Sequence, residues 1–194
     1  MGGELFVMDD GWFGDKYPRK NDSSSLGDWV VDKNKLPNGI EGLLSDAKKH
    51  GVKFGIWIEP EMANTTSELY EKHPDWVLKA SERDVVLGRG GTQVVLDLAN
   101  PAVQDFVFGV VDNLMTSYPE IDYIKWDANM SVQNHGSQYL TKDNQSHMYI
   151  EFHRASRKSA SASVPNIPTL PSRHVPVAAV VPTTECCLTS TSSG

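Results

Sequence analysis

Short apolar runs alternate with segments of helical periodicity along most of this chain. The apolar runs predict β-strands at residues 5–8, 53–58, 94–98 and 123–126. Apolar spacing, together with N-cap and Gly signals, predicts helices at residues 38–50, 67–72, from 100 onward, and within 142–154. Strands separated by helix-length segments favour a parallel sheet, because parallel strands need long crossovers. The predicted fold class is α/β, and periodicity alone does not choose between an open sheet and a closed barrel.

The character of the chain changes near residue 155. Residues 1–154 carry the alternating strand and helix signals, whereas residues 155–194 are rich in Ser, Pro, Ala, Val and Thr and show almost no periodicity. A segment of that composition is not expected to pack into a core. We therefore predict a folded region at 1–154 and a disordered tail at 155–194.

Composition excludes several classes of partner. The net charge of −7 argues against a nucleic-acid partner, which requires a basic face. No run of about 18 apolar residues is present, so no membrane span is expected. The two cysteines, Cys186 and Cys187, are adjacent, and no HExxH motif occurs, so no metal site is predicted. The first residues lack the basic and apolar regions of a signal peptide, but in a fragment this says nothing about export. The compartment is therefore left open, with a cytoplasmic location as the expectation.

Acidic residues stand at the ends of several predicted strands. They are Asp9, Asp10, Glu59, Glu61 and Asp127, and Asp97 lies within a further strand. In a (β/α) barrel the carboxyl ends of the strands form the active site, so these side chains would be close in space. Such carboxylates could bind sugar hydroxyls, hold a metal, or act as acid, base or nucleophile. The alternative is that each one bonds only to its local backbone in a turn.

Asp127 is the clearest candidate for chemistry, because it follows Lys125 and Trp126 at the end of an apolar strand. Residues two apart in a strand point to the same face, so the Lys125 ammonium would keep Asp127 ionised, as a nucleophile requires. The alternative is a buried salt bridge. Trp12, Trp57 and Trp126 flank the acidic groups and could offer aromatic faces to a sugar, although buried Trp more often belongs to the core.

Six longer motifs follow one another along residues 4–140. They are ELFVMDDGWFG (4–14), SLGDWVVDKNKLPNGIEGL (25–43), GVKFGIWIEPEM (51–62), LYEKHPDWVL (69–78), VVLDLANP (94–101) and DYIKWDAN (122–129). In this order they resemble the bacterial α-galactosidases of glycoside hydrolase family 36, the melibiases. The resemblance implies a partial (β/α)8 TIM barrel and a retaining double displacement on terminal α-galactosyl groups of sugars such as melibiose and raffinose.

The resemblance also implies roles for individual residues. Asp127 matches the family nucleophile, Asp9 and Asp10 match the pair that binds galactose hydroxyls, and Lys125 and Trp57 match residues that line the sugar site. Arg89 is the best match for a substrate-binding Arg, in a segment whose length differs from the family's. No cofactor is implied, the expected partner is an α-galactoside oligosaccharide, and a homo-oligomer is an open expectation for the intact protein.

Three alternatives stay open at this point. One is a related α-N-acetylgalactosaminidase or transglycosylase, because the chain reads KWDANM where the family often reads KWDMNR. Another is a non-catalytic galactose-binding fragment. The last is a metal-dependent carboxylate site built from Asp9, Asp10 and Asp127.

The ends of the chain suggest a fragment. The family's upstream domain and first barrel strand do not precede Met1, and the family motif that resembles CASGGGR does not follow. Residues 174–194, back-translated and read two bases later, permit CASGGGRPDYGMLPYFDEFW. We therefore expect a frameshift near residues 150–160 and the loss of the acid/base Asp beyond it. Such a fragment is expected to be poorly stable and to hydrolyse α-galactosides negligibly.

Overall fold

The computed structural model describes residues 2–130, 132–133, 135–162 and 177–180, with side chains as far as residue 158. Its helices and strands, in chain order, are β1 (Leu5–Met8), α1 (Gly39–Lys49), β2 (Lys53–Ile58), β3 (Met62–Asn64), α2 (Glu68–Lys72), β4 (Gln93–Val95), α3 (Pro101–Ser117), β5 (Tyr123–Asp127), α4 (Met148–Ala162) and β6 (Val177–Val180). Two 3-10 turns lie at Pro74–Trp76 and Lys142–His147.

Four strands form one parallel sheet in the order β1-β2-β5-β6. The register places Met8 beside Ile56, and Ile58 beside Trp126. All strands of the sheet run in one direction, so the residues that follow β1, β2 and β5 meet at one edge. The prediction of an α/β fold with a parallel sheet is therefore confirmed.

The helices form where the sequence signals predict them. Asn100 is the N-cap of α3, and its side chain accepts a hydrogen bond from the Ala102 backbone N–H at 3.0 Å. Pro101 occupies the first turn, where its missing N–H costs nothing. Gly51 follows α1 with φ of +66°, a conformation that a residue with a Cβ rarely adopts. These signals fix the crossovers between the parallel strands.

The core lies around β2, the central strand. Phe54, Ile56 and Ile58 are each at most 1% exposed, and Ile124 of β5 is equally buried beside them. The buried faces of α1 and α3 belong to the same apolar cluster, with Leu44 and Val107 among its members. Burying each large apolar side chain contributes about 1.5–3 kcal/mol, so this cluster holds the strand ends in register.

The prediction of a parallel strand at residues 94–98 is wrong. The strand there is β4, which is shorter and pairs antiparallel with β3, Ala63 lying opposite Val94. Asp97 ends the extended stretch, because its carboxylate accepts the backbone N–H of Ala99 at 3.1 Å and the hydroxyl of Ser137 at 2.6 Å. These bonds turn the chain toward α3, so Asp97 serves its local loop and does not face the other carboxylates.

The structure also differs from the predicted boundary at residue 154. α4 continues to Ala162. Met148, Phe152 and Ala155 recur on one buried face of this helix, which packs against α3. Within the predicted tail, Val177–Val180 pairs in parallel with β5, whose edge supplies backbone hydrogen bonds. The rest of the predicted tail, 163–176 and 181–194, lies outside the described residues. In the part of the chain that the structure describes, no helix is both long and apolar enough to cross a membrane.

Candidate active site

Four of the predicted site residues come together at the carboxyl ends of β1, β2 and β5. The Nζ atom of Lys125 lies 2.9 Å from Oδ2 of Asp9, which joins β5 to the loop after β1. The indole Nε1 of Trp57 lies 3.0 Å from Oδ2 of Asp127, which joins β2 to β5. Residues distant in sequence therefore share one edge of the sheet, where the sequence predicted them.

The ion pair between Lys125 and Asp9 lies at the solvent-exposed part of this edge, and the two side chains are 30% and 65% exposed, respectively. Partial burial opposes ionisation of Asp9, but the bonds from Lys125 and from the Asp10 N–H outweigh it and lower the pKa of Asp9. The hydrogen bond to Asp9 raises the pKa of Lys125, and the charge of Asp127 adds to that rise. Both groups stay charged at neutral pH and can bind hydroxyls. The ammonium bonds to Asp9, whereas the sequence predicted Asp127 as its partner.

Asp127 is half-buried, and its orientation is fixed by two donors. Trp57 holds one oxygen, and the backbone N–H of Ala128 lies 3.1 Å from the other. The Trp57 ring is only 2% exposed and lies parallel to Phe13, with centroids 6.2 Å apart. Trp12 also donates to the Trp57 carbonyl at 2.9 Å. The indole therefore meets the site through its N–H and not through an open aromatic face.

The other two aromatic candidates also belong to the core. Trp12 is fully buried and Trp126 is 3% exposed. Neither ring presents a face to solvent in the described chain. These rings therefore pack in the hydrophobic core and do not offer aromatic faces to a sugar.

Asp10 points to a different partner from Asp9. Nε and Nη2 of Arg19 approach its two oxygens at 3.0 and 2.6 Å, a bidentate pair. Arg19 is 4% exposed, and its Nη1 also donates to the Asn64 side chain and the Ser24 carbonyl, each at 2.9 Å. Sequence reasoning missed Arg19, because it lies in a polar loop without periodicity. No pattern in the sequence marks it, because its burial is set by the fold.

Arg89, predicted to contact substrate, stands on the outer side of this network. Its guanidinium lies 3.2 Å from Asp22, and Asp22 in turn lies 3.5 Å from Arg19. Opposite charges thus alternate from Asp10 through Arg19 and Asp22 to Arg89. The Arg89 side chain is 44% exposed, and its backbone has φ of +48°, so it sits on a tight, accessible loop.

Two glutamates after β2 are buried beneath Asp127. Glu59 is 2% exposed and accepts the backbone N–H of Asn129 at 2.6 Å. Glu61 is 7% exposed and accepts the indole N–H of Trp126 at 2.5 Å. Burial raises the pKa of Glu59 to about 7 and that of Glu61 to about 8, and the charge of Asp127 adds to both. Their burial keeps them away from any exposed leaving group, so neither is placed to act as a general acid.

The metal alternative gains no support from this arrangement. Among the described residues, no group of three or more His, Cys, Asp or Glu side chains is placed to hold a metal ion. Asp9 and Asp10 bond to cations of the protein itself, Lys125 and Arg19.

Comparison with known proteins identifies relatives of this arrangement. The Melibiase family model matches residues 1–155. Alpha-galactosidase AgaA of Geobacillus stearothermophilus is 45% identical over 145 residues, which are 75% of this chain and 19% of the relative. Probable alpha-galactosidase C of Aspergillus flavus is 47% identical over 139 residues, 68% of this chain and 18% of the relative. The chain therefore spans about a fifth of the length of these relatives.

Solved structures give the same result. A GH36 alpha-galactosidase AgaA variant of Geobacillus stearothermophilus in complex with raffinose superposes with a TM-score of 0.78 at 39% identity, covering 85% of this chain and 22% of that one. An AgaA variant in complex with stachyose gives a TM-score of 0.80 at 36% identity, covering 91% and 23%.

Proposed function

This chain belongs to the Melibiase family, and from that premise we propose that it carries the nucleophile half of a retaining α-galactosidase site, with Asp127 as the nucleophile. The observation that carries the proposal is the Asp127 carboxylate, half-buried at the end of β5 and oriented by the Trp57 indole at 3.0 Å. A carboxylate with this fixed orientation at the carboxyl edge of a parallel sheet suits attack on an anomeric carbon.

We also propose that the sheet is an arc of a (β/α)8 barrel. The parallel order and the crossovers through α1 and α3 support this. At the outer edge of β1, Leu5 and Phe6 are 41% and 51% exposed, which is unusual for a strand of a parallel sheet. A neighbouring barrel strand would cover them. In the barrel, the half-exposed face of β5 with Tyr123, Lys125 and Asp127 lies toward the axis.

The proposed chemistry is a double displacement. An oxygen of Asp127 forms a bond to C1 of the galactosyl group while the bond from C1 to the leaving oxygen breaks, and water then hydrolyses the ester. Trp57 holds the carboxylate plane during attack. Asp9, Asp10, Lys125 and Arg89 supply charged partners for the sugar hydroxyls. Melibiose and raffinose, which end in an α-galactosyl group, are the proposed substrate type of the intact protein.

The leaving oxygen requires a proton, and we propose that the described residues do not supply it. Each described carboxylate near Asp127 is already bonded: Asp9 to Lys125, Asp10 to Arg19, Glu59 to Asn129 and Glu61 to Trp126. The chain by itself is therefore proposed to hydrolyse ordinary α-galactosides negligibly. The same observation favours a second function for the isolated chain, which is binding of galactose without turnover.

A substrate whose leaving group needs no proton distinguishes a chain with a working nucleophile from a chain that only binds galactose. Fluoride departs as an anion, so α-galactosyl fluoride can react with Asp127 without a general acid: a bond from oxygen to C1 forms, the bond from C1 to fluorine breaks, and fluoride leaves with the electron pair. A fluorine at C2 of the sugar slows hydrolysis of the ester. Mass spectrometry is expected to find the sugar on the peptide that contains Asp127, and not in Asp127→Asn.

The control is an alkyl α-galactoside, which is expected to release no galactose in the presence of the same chain. A folded chain that binds galactose but acquires no label would contradict the nucleophile and leave binding alone. A label on any other carboxylate would assign the nucleophile elsewhere.

A further inference from the structure

Trp57 of β2 and the two glutamates that follow β2 bond to three residues at or just beyond the end of β5. Trp57 donates to Asp127, Glu59 accepts from Asn129 and Glu61 accepts from Trp126. Glu59 begins a turn in which its carbonyl accepts the Met62 N–H at 3.4 Å, so both glutamates reach the end of β5 from a turn and not from an extended strand. The three bonds surround the carboxylate, with one at Asp127 itself, one at the residue before it and one two residues after it.

The segment that carries the glutamates is itself fixed. The Glu61 carbonyl accepts the Leu96 N–H at 2.9 Å, which ties the segment to the chain just after β4. Pro60 between the glutamates has a fixed φ, which removes one degree of freedom. Asn129 contributes a second bond to Glu59 through its side chain. The donors and acceptors therefore stand on a rigid support.

From this geometry we propose that Glu59 and Glu61 are positioning residues for Asp127, which hold the end of β5 so that the carboxylate points out of the sheet edge. The inference rests on the proposed role of Asp127 as nucleophile. Neither glutamate touches the sugar in this account. Glu59 fixes the backbone after Asp127, and Glu61 fixes the indole of Trp126 before it.

The charge state of the pair supports this role. Burial is the main cause of the raised pKa values, about 7 for Glu59 and about 8 for Glu61. The groups that act on them are Asp127 and the other glutamate, which favour the neutral form of Glu61, and Arg89, which favours the ionised form of Glu59. At neutral pH Glu61 is largely protonated and Glu59 is near the midpoint of its ionisation, so the pair accepts the two N–H bonds while placing fewer than two further negative charges beneath the nucleophile.

The test uses the indole N–H signals of the full chain in a two-dimensional ¹H–¹⁵N NMR spectrum. The chain has five Trp residues, so assignment by single Trp→Phe variants is direct. Titration from about pH 5 to about pH 9 should move the Trp126 indole signal as Glu61 ionises and, in the same spectrum, the Asn129 backbone N–H signal as Glu59 ionises. Glu61→Gln should keep the Trp126 signal near its acid position and remove its pH dependence, because the amide oxygen still accepts. Glu59→Gln should do the same for the Asn129 backbone N–H signal.

Glu59→Leu and Glu61→Leu remove the acceptors, and Glu120→Gln, an exposed residue just before the amino end of β5, is the matched control. The Leu variants should slow galactosylation of Asp127 by α-galactosyl fluoride by about tenfold to a hundredfold, and the Gln variants by less than about threefold. Unchanged titrations in the Gln variants, or labelling rates in the Leu variants equal to that of the control, would overturn the proposal. If no variant and no wild-type chain is labelled, the nucleophile assignment fails, and the indole titrations still decide whether the glutamates hold β5.

Discussion

The Trp57 indole N–H donates to Oδ2 of Asp127 at 3.0 Å, although the two residues are 70 positions apart in the chain. The bond exists because β2 and β5 are parallel neighbours, so that Trp57 lies beside Lys125 and reaches over to the end of β5. A carboxylate held by a donor on the next strand has one defined orientation. The nucleophilic role proposed for Asp127 depends on that orientation.

Trp57→Phe removes the N–H and keeps most of the ring. We expect galactosylation of Asp127 by α-galactosyl fluoride to slow by about tenfold, because a hydrogen bond to a charged group contributes about 1.5–3 kcal/mol. The free energy of unfolding should fall by about 1 kcal/mol. Trp76→Phe, remote from the sheet edge, is the control for loss of an indole. Equal labelling rates in both variants would show that Trp57 does not orient the nucleophile.

Arg19→Met should destabilise the fold, because it leaves the Asp10 carboxylate without its cation and removes one of the two donors to the Asn64 oxygen, which keeps the Leu26 N–H. The expected loss in the free energy of unfolding, measured by urea denaturation, is about 3 kcal/mol. Lys16→Met removes an exposed ion pair with Glu71 and should cost far less, because solvent screens that pair. Similar losses in the two variants would mean that the buried network around Arg19 does not stabilise this loop.

Stability should fall as pH rises through the range in which the buried glutamates ionise. Their folded pKa values, about 7 and about 8, lie above the ordinary value of 4.5, so the folded state holds these protons to higher pH than the unfolded chain. Between about pH 4.5 and about pH 8 the folded state binds more protons than the unfolded chain. The free energy of unfolding therefore decreases as pH rises through this range. Urea denaturation at successive pH values should show a shallower decrease in the Glu59→Gln, Glu61→Gln double variant. An identical slope in that variant would show that ionisation of Glu59 and Glu61 does not cause the decrease in stability.

Asp9 and Lys125 should act as one unit in galactose binding. Asp9→Asn and Lys125→Met each break the 2.9 Å ion pair, so each should weaken binding of galactose to the chain, as measured by calorimetry. The double variant should lose less than the sum of the two single losses, because both remove the same interaction. Strict additivity would indicate that the two side chains contact the sugar independently.

The sequence predicts the strands, the main helices and the carboxylates because these depend on local signals. The apolar run of β2 and the Asn100-Pro101 helix start are examples of such signals. The short β4 is not predicted, because its antiparallel pairing with β3 depends on a partner 31 residues away (Ala63 and Val94) and not on its own pattern. For the same reason Lys125 has Asp9 and not Asp127 as its partner, and Arg19 has no local signature. Partner choice is a property of the folded chain.

The central claim is that Asp127 attacks the anomeric carbon. Asp127→Gly opens a space at the end of β5 in which an added azide ion can replace the carboxylate. With α-galactosyl fluoride, azide attack on C1 with loss of fluoride inverts the configuration, so the account predicts β-galactosyl azide, formed only by Asp127→Gly and only when azide is present. Failure of Asp127→Gly to form any galactosyl azide, or formation of the α-anomer, would contradict the role of Asp127 as the nucleophile.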